Sequence, residues 1–338
     1  MPIAIIDFIV YSPQILAVTM RPCPRHASSS RRREEDEEMI MSEAIEIIIP
    51  GRGKDLGGFE VRRVLPFARH RMVGPFIFFD QIGPARFAPG DAVDVRPHPH
   101  IGLATVTYLF EGALGHKDSL GVEQIIRPGD VNWMTAGRGV VHSERTPSPE
   151  REDGHAMYGI QTWVALPTAD EDIEPAFHHH PAASLPDFHK DGAHWRLILG
   201  TAWGHEAPVD VLSPIFYLHG ELAAGMTVTI DVDHAERAVY LVEGKATLDG
   251  VTLEAGSMAV LTPGSAPKLE AGSACKVMLC GGSPLGKRQI FWNFVASSPE
   301  RLRQAKADWR DAAALDFPAE GRFRLPPGEN EHIPLPEE

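Results

Sequence analysis

The sequence predicts an all-β protein: two stacked β-barrels of jelly-roll type in one chain, followed by a short C-terminal helix. Three observations predict it. Strand-like runs of apolar residues recur between Gly- and Pro-bounded turns, with 31 Gly and 29 Pro in the chain, while helical periodicity is scarce. A strand, turn and strand block occurs twice: Tyr108–Gly112 (YLFEG) returns as Tyr240–Gly244 (YLVEG), and Pro128–Gly137 (PGDVNWMTAG) returns as Ala255–Gly264 (AGSMAVLTPG). Finally, 338 residues are long for one β-sandwich and natural for two, with enough apolar residues for two cores.

Residues 1–40 are expected to lie outside the folded part. Ile3–Val10 is apolar, but Asp7 interrupts it, Pro13 follows it and no basic segment precedes it, so it reads as neither signal peptide nor membrane span. The run Ser28–Glu38 (SSSRRREEDEE) can bury nothing. The segment reads as an unstructured tail, or as a start assigned too early with Met39 or Met41 as the functional start. A basic recognition arm at Arg31–Arg33 is countered by the unbroken acidic run from Glu34 to Glu38.

The first barrel is expected over 41–167. Val106, Tyr108 and Phe110 alternate, Gly-bounded turns follow, then Ile125, Ile126 and the PGD turn at Pro128–Asp130. This barrel carries His98 and His100 in RPHPHIG, and His142 and Glu144 in GRGVVHSE. Side chains two apart in an extended chain point the same way. If the two strands lie side by side, three imidazoles and one carboxylate converge on a point. Divalent iron, manganese, nickel, copper or zinc could accept that donor set. Gly137 and Gly139 suggest a tight loop that delivers His142, because glycine accepts positive φ at no steric cost. His116 and Asp118 read as hairpin-turn residues that satisfy backbone amides. His178–His180 read as a solvated loop before Pro181, since three adjacent residues cannot all face one ion on a strand.

The second barrel is expected over 176–295. Laying one repeat on the other sets His98 and His100 opposite Ile230 and Val232, and His142 and Glu144 opposite Leu269 and Ala271. All four counterparts are apolar, so this barrel should pack a dry core and bind no metal. His234 is out of register and reads as a surface residue. Over 296–338, Ser298 followed by PERLRQAKADW supplies an N-cap, a first-turn proline and an acidic first turn for the C-terminal helix, which with the tail should pack back on the barrels.

The runs HPHIGLATVTYL, HKDSLG and RPGDVNWMTAGRGVVHSE, from His98 to Glu144, resemble the pirin family of the cupin superfamily. Pro50–Pro84 resembles the pirin amino-terminal segment, and Gly159–Pro167 (GIQTWVALP) resembles the strand after its motif. The resemblance implies a bicupin fold with one mononuclear metal, usually iron, on His98, His100, His142 and Glu144. Where cupins commonly carry a glutamate a few residues after H-x-H, this chain has Ala104, so Glu144 is the only carboxylate expected at the metal.

Among pirins the implied activity is oxidative ring opening of the flavonol quercetin, with dioxygen as co-substrate and Glu144 as the catalytic carboxylate. Other members look like metal-containing regulatory modules that respond to redox state through a protein partner. Four protein donors leave about two positions of a six-coordinate ion for small ligands. Phe76, Phe78, Trp133, Met134 and Gln161 could wall a pocket for a flat aromatic substrate, with core packing the alternative for each.

A formal charge of −14 argues against general affinity for nucleic acid or anionic membranes. Cys23, Cys275 and Cys280 form no disulfide framework or C-x-x-C pair, so a reducing, cytoplasmic location is the default.

Overall fold

The computed structural model describes residues 42–55 and 60–337. The expectation for residues 1–40, and Cys23 with it, lies outside the described residues. Nearly all of the regular structure is strand. Two α-helices are described, Ser148–Asp153 and Pro299–Ala314, and neither is long and apolar enough to cross a membrane.

Each barrel is a large antiparallel sheet facing a small one. In the first, the large sheet runs in the order Ala176–His180, Val131–Thr135, Leu103–Glu111, His155–Ala165, Phe76–Phe87, Glu60–Leu65, Arg52–Asp55. Its small sheet runs Asp94–His100, Val140–Arg145, Leu114–Asp118, Glu123–Ile126. In the second barrel the main path of the large sheet is Ile45–Ile49, Met258–Leu261, Glu236–Glu243, Cys275–Gly282, Ile215–Leu222, Ala193–Ala202, Asp187–Lys190. The small sheet there is Thr227–Thr229, Lys268–Ala271, Ala246–Leu248, Val251–Leu253.

The barrels stack large sheet against large sheet. Their shared core joins Phe79, Val106, Tyr108 and Trp133 of the first to Ile198, Tyr217, Tyr240 and Met278 of the second. Tyr108 and Tyr240, the matching residues of the repeat, both lie in it. Each places its hydroxyl on the other barrel: Tyr240 donates to Gln81 Oε1 at 2.7 Å, and Tyr108 lies 2.9 Å from His219 Nδ1. Aromatic rings thus bury their area while their polar tips stay paired.

The sequence boundaries do not follow the strands. Ile45–Ile49, expected in the first barrel, pairs with Met258–Leu261 of the second. Ala176–His180, expected in the second, pairs with Val131–Thr135 of the first. Each covers a strand edge that would otherwise leave backbone groups unpaired. The same pairing corrects the reading of His178–His180, which form a strand rather than a loop; His179 Nδ1 lies 2.8 Å from Asn132 Oδ1. The hairpin Gln289–Phe291 and Phe294–Ala296 also belongs with the first barrel, where Phe294 bridges Ile101.

Ser298 caps the long helix by accepting from Arg301 N–H, and its buried face is Leu302, Ala305, Trp309 and Ala312. That spacing places one stripe on the first barrel, whose interior cluster also takes in Phe323 and Ile333 of the tail. The tail then crosses the outside of the small sheet. Ile333 N–H donates to Pro97 O at 2.8 Å, and Glu329 accepts from Ser143 Oγ at 2.8 Å and from Arg145 at 2.7 and 3.0 Å.

In the second barrel, Ile230, Val232, Leu269 and Ala271 are buried in the interior cluster. His234 is half-buried rather than on the surface: its ring stacks on Phe216 and its Nε2 donates to Thr201 O at 2.9 Å.

Candidate metal centre

The strands Asp94–His100 and Val140–Arg145 lie side by side, with His142 directly opposite His98 and Val140 opposite His100. The register then slips, so that Glu144 faces Val95. Pro97 lies within the slipped stretch, where the loss of a backbone N–H costs least. His98, His100 and His142 are all buried, and their ligand atoms lie within 4.8 Å of one another. The Glu144 carboxylate, one pair further along, is outside that mutual set.

Each imidazole has its Nδ1 occupied. His98 Nδ1 lies 2.9 Å from Arg96 O and His100 Nδ1 lies 3.2 Å from Asn293 O, so both carry hydrogen there and donate it to a carbonyl. Their Nε2 atoms are therefore bare. His142 Nδ1 faces His116 Nδ1 at 3.2 Å, and His142 Nε2 faces His100 Nε2 at 3.1 Å. If His142 Nε2 is bare as well, two nitrogens that close repel unless a cation lies between them. Two nitrogens bound at right angles to one ion, each at about 2.1 Å, would be about 3.0 Å apart. The donor set thus fits a divalent metal.

Burial favours the unprotonated rings that a metal requires. It holds His98 down at about 4, and it pushes His100 and His142 well below the ordinary histidine value, with the neighbouring histidines adding to the shift. Burial raises the Glu144 carboxyl, against a hydrogen bond from Gln161 Nε2 to Glu144 Oε1 at 2.9 Å. Beside Glu144 a void of about 10 Å³ is lined by Ile82, Val93, Val95, Leu114, Met157 and Gln161.

The suggested pocket wall divides. Phe78, Met134 and Gln161 are on the inner side, with Phe78 stacked on Trp163 at 4.2 Å and Trp163 edge-on to His100 at 5.2 Å. Phe76 and Trp133 are on the opposite side, packed in the core between the barrels. A register slip sets Trp163 opposite Phe78 but Val164 opposite Phe76, which breaks the alternation expected of the two phenylalanines. Trp133 and Met134 are adjacent and must diverge. Ala104 also packs between the barrels, so its position could not have served the histidines.

Trp163 is a site residue that the sequence reading missed, although it lies two residues after Gln161 and so shares its face. His116 and Asp118 were misplaced rather than missed. They belong to the strand Leu114–Asp118 and are buried behind His142, while Asp118, at the strand's end, does accept the turn amides of Leu120 and Val122 as expected.

Known proteins agree with this construction. Residues 58–164 match the Pirin family model, and residues 217–314 match the Pirin C-terminal cupin domain. A pirin-like protein of Caulobacter vibrioides is 50% identical over 297 residues, covering 87% of this chain and all of its own. A Pseudomonas aeruginosa protein provisionally named quercetin 2,3-dioxygenase is 37% identical over 89% of this chain and 94% of its own. A crystal structure of quercetin 2,3-dioxygenase from Acinetobacter baumannii superposes with a TM-score of 0.79 at 32% identity, covering 88% of this chain and 96% of that one. With two cupin barrels, the histidine cluster in the first and matches over most of the chain, this protein belongs to the pirin family.

Proposed function

We propose that the chain is a mononuclear metal-dependent oxidoreductase of the quercetin 2,3-dioxygenase type, acting on a flavonol or a similar phenolic chelator. The observation that carries this reading is the convergence of buried imidazole nitrogens from His98, His100 and His142. The similarity to the Acinetobacter enzyme selects the reaction class. Iron(II) is the metal proposed, with Glu144 as the fourth ligand.

When bound, such an ion supplies a Lewis-acidic, redox-active centre at which a phenol and dioxygen can be joined. The chain's own residues set the conditions. The carbonyls of Arg96 and Asn293 orient two of the imidazoles, and the surrounding apolar residues exclude water. Glu144, with its proton affinity raised by burial, would take a proton from a phenolic hydroxyl. Gln161 orients that carboxyl through its amide, and Trp163 offers an aromatic face beside His100.

The smallness of the void beside Glu144 favours a second reading, a redox-responsive metal module that acts through a protein partner. Protein purified without oxygen and assayed for metal content should be given quercetin in an oxygen electrode. Oxygen uptake in step with loss of flavonol absorbance supports the enzyme. Absence of uptake with any flavonol or catechol, alongside reversible oxidation of the metal, would replace it with the second reading.

A further inference from the structure

Of the three clustered imidazoles, His98 and His100 are oriented by backbone carbonyls, which no side-chain substitution removes. His142 is different. Behind it stand only side chains: His116, then Asp118.

We propose that Asp118 and His116 are positioning residues which, as a relay, fix the His142 imidazole in the tautomer that leaves Nε2 bare for metal. The inference rests on the reading of His98, His100 and His142 as metal ligands. The relay begins at Asp118, which is fully buried. Asp118 Oδ1 accepts the backbone N–H groups of Leu120 at 2.9 Å and Val122 at 3.1 Å, and Oδ2 lies 3.0 Å from His116 Nε2. An ionised carboxylate can only accept. A His116 ring with a single hydrogen must therefore carry it on Nε2, which leaves its Nδ1 bare.

That bare nitrogen is 3.2 Å from His142 Nδ1. The hydrogen between them must then belong to His142, and His142 Nε2 is bare where it meets His100. Each contact decides the next. Phe177 stacks on the His116 ring at 4.4 Å and 21°, and limits its rotation. An acceptor at the far end also makes the ligating nitrogen more basic, as carboxylates behind metal-binding histidines generally do.

Asp118→Asn gives a directional test. The amide oxygen can still accept from Leu120 and Val122, so the turn is kept. Its NH2 group, however, donates toward His116 Nε2, and the chain of donors reverses until His142 carries hydrogen on Nε2. In metal-free protein at pH 8, nitrogen-15 NMR of the imidazoles should show His142 protonated on Nδ1 in the wild type and on Nε2 in Asp118→Asn. Zinc affinity, measured by competition with a chromophoric chelator, should fall about 10- to 100-fold in the variant.

A wild-type His142 protonated on Nε2 overturns the proposal, and that result needs no variant to fold. Unchanged zinc affinity in a folded Asp118→Asn protein also overturns it. If instead the NMR pattern appears as expected but wild type binds no metal, the relay stands and the metal-site reading fails.

Discussion

Acid should destabilise the metal-free protein through its buried histidines. In the folded chain His98 is held down at about 4, His100 and His142 lie well below their ordinary value, and His219 between the barrels is pushed down to about 3, all chiefly by burial. In the unfolded chain they titrate near 6.5. Below that pH the unfolded state binds protons that the folded state refuses, so stability falls as pH falls. Each such group removes about 1.4 kcal/mol per pH unit. For His98, the span from 6.5 to about 4 amounts to about 3 kcal/mol, fully lost near pH 4.

Asp80 and Glu144 act in the opposite sense. Burial raises both, so they favour the folded state as pH falls through their folded values, but four histidines outnumber two acids. The assay is urea unfolding of chelator-treated protein at pH 7.5, 6.5, 5.5 and 4.5, compared with His98→Asn. The variant should lose about 1.4 kcal/mol less per pH unit across the acid range. An identical slope in the two proteins would refute the claim that His98 is held neutral.

Other expectations are independent of that one. His100→Ala should abolish stoichiometric metal, measured by elemental analysis, while the second barrel keeps its circular dichroism. Glu144→Gln keeps the shape but removes the negative charge, and flavonol turnover should drop at least about tenfold, as changes around a metal site commonly do. Tyr240→Phe strands the buried Gln81 Oε1 and should cost about 1–3 kcal/mol in chemical unfolding. Glu329→Ala removes acceptors from Ser143 and Arg145, which flank the site strand; zinc dissociation measured by chelator trapping should quicken, whereas unaltered release would show that the tail does not brace that strand.

The histidines were legible because the two-residue period of a strand is rigid: His98 and His100 had to share a face, and pairing with His142 completed the set. The apolar counterparts in the second barrel were legible by the same period. The place of His116 and Asp118 behind His142 was not, because H-x-D beside glycine is also ordinary turn chemistry, which Asp118 does perform. Their signal was a spacing identical to that of the ligand pairs. Phe76 could not be separated from Phe78, since a register slip leaves no mark in composition. Nor could a local pattern show that Ile45–Ile49 pairs with Met258–Leu261, because that partnership depends on which edge lies open after the barrels stack.

The exchange of strands has a consequence for how the molecule can be divided. A chain cut between Pro167 and Ala176 would give a first piece that carries Ile45–Ile49 without its partner and leaves the Val131–Thr135 edge bare. The second piece would carry Ala176–His180 without its partner and leave the Met258–Leu261 edge bare. It would also take away the Asn293 carbonyl that orients His100 and the helix that seals the first barrel. Neither piece is a self-sufficient module, and each exposes the kind of edge on which chains aggregate. The two pieces should become soluble only when produced together, as complementary fragments that restore each other's missing strand.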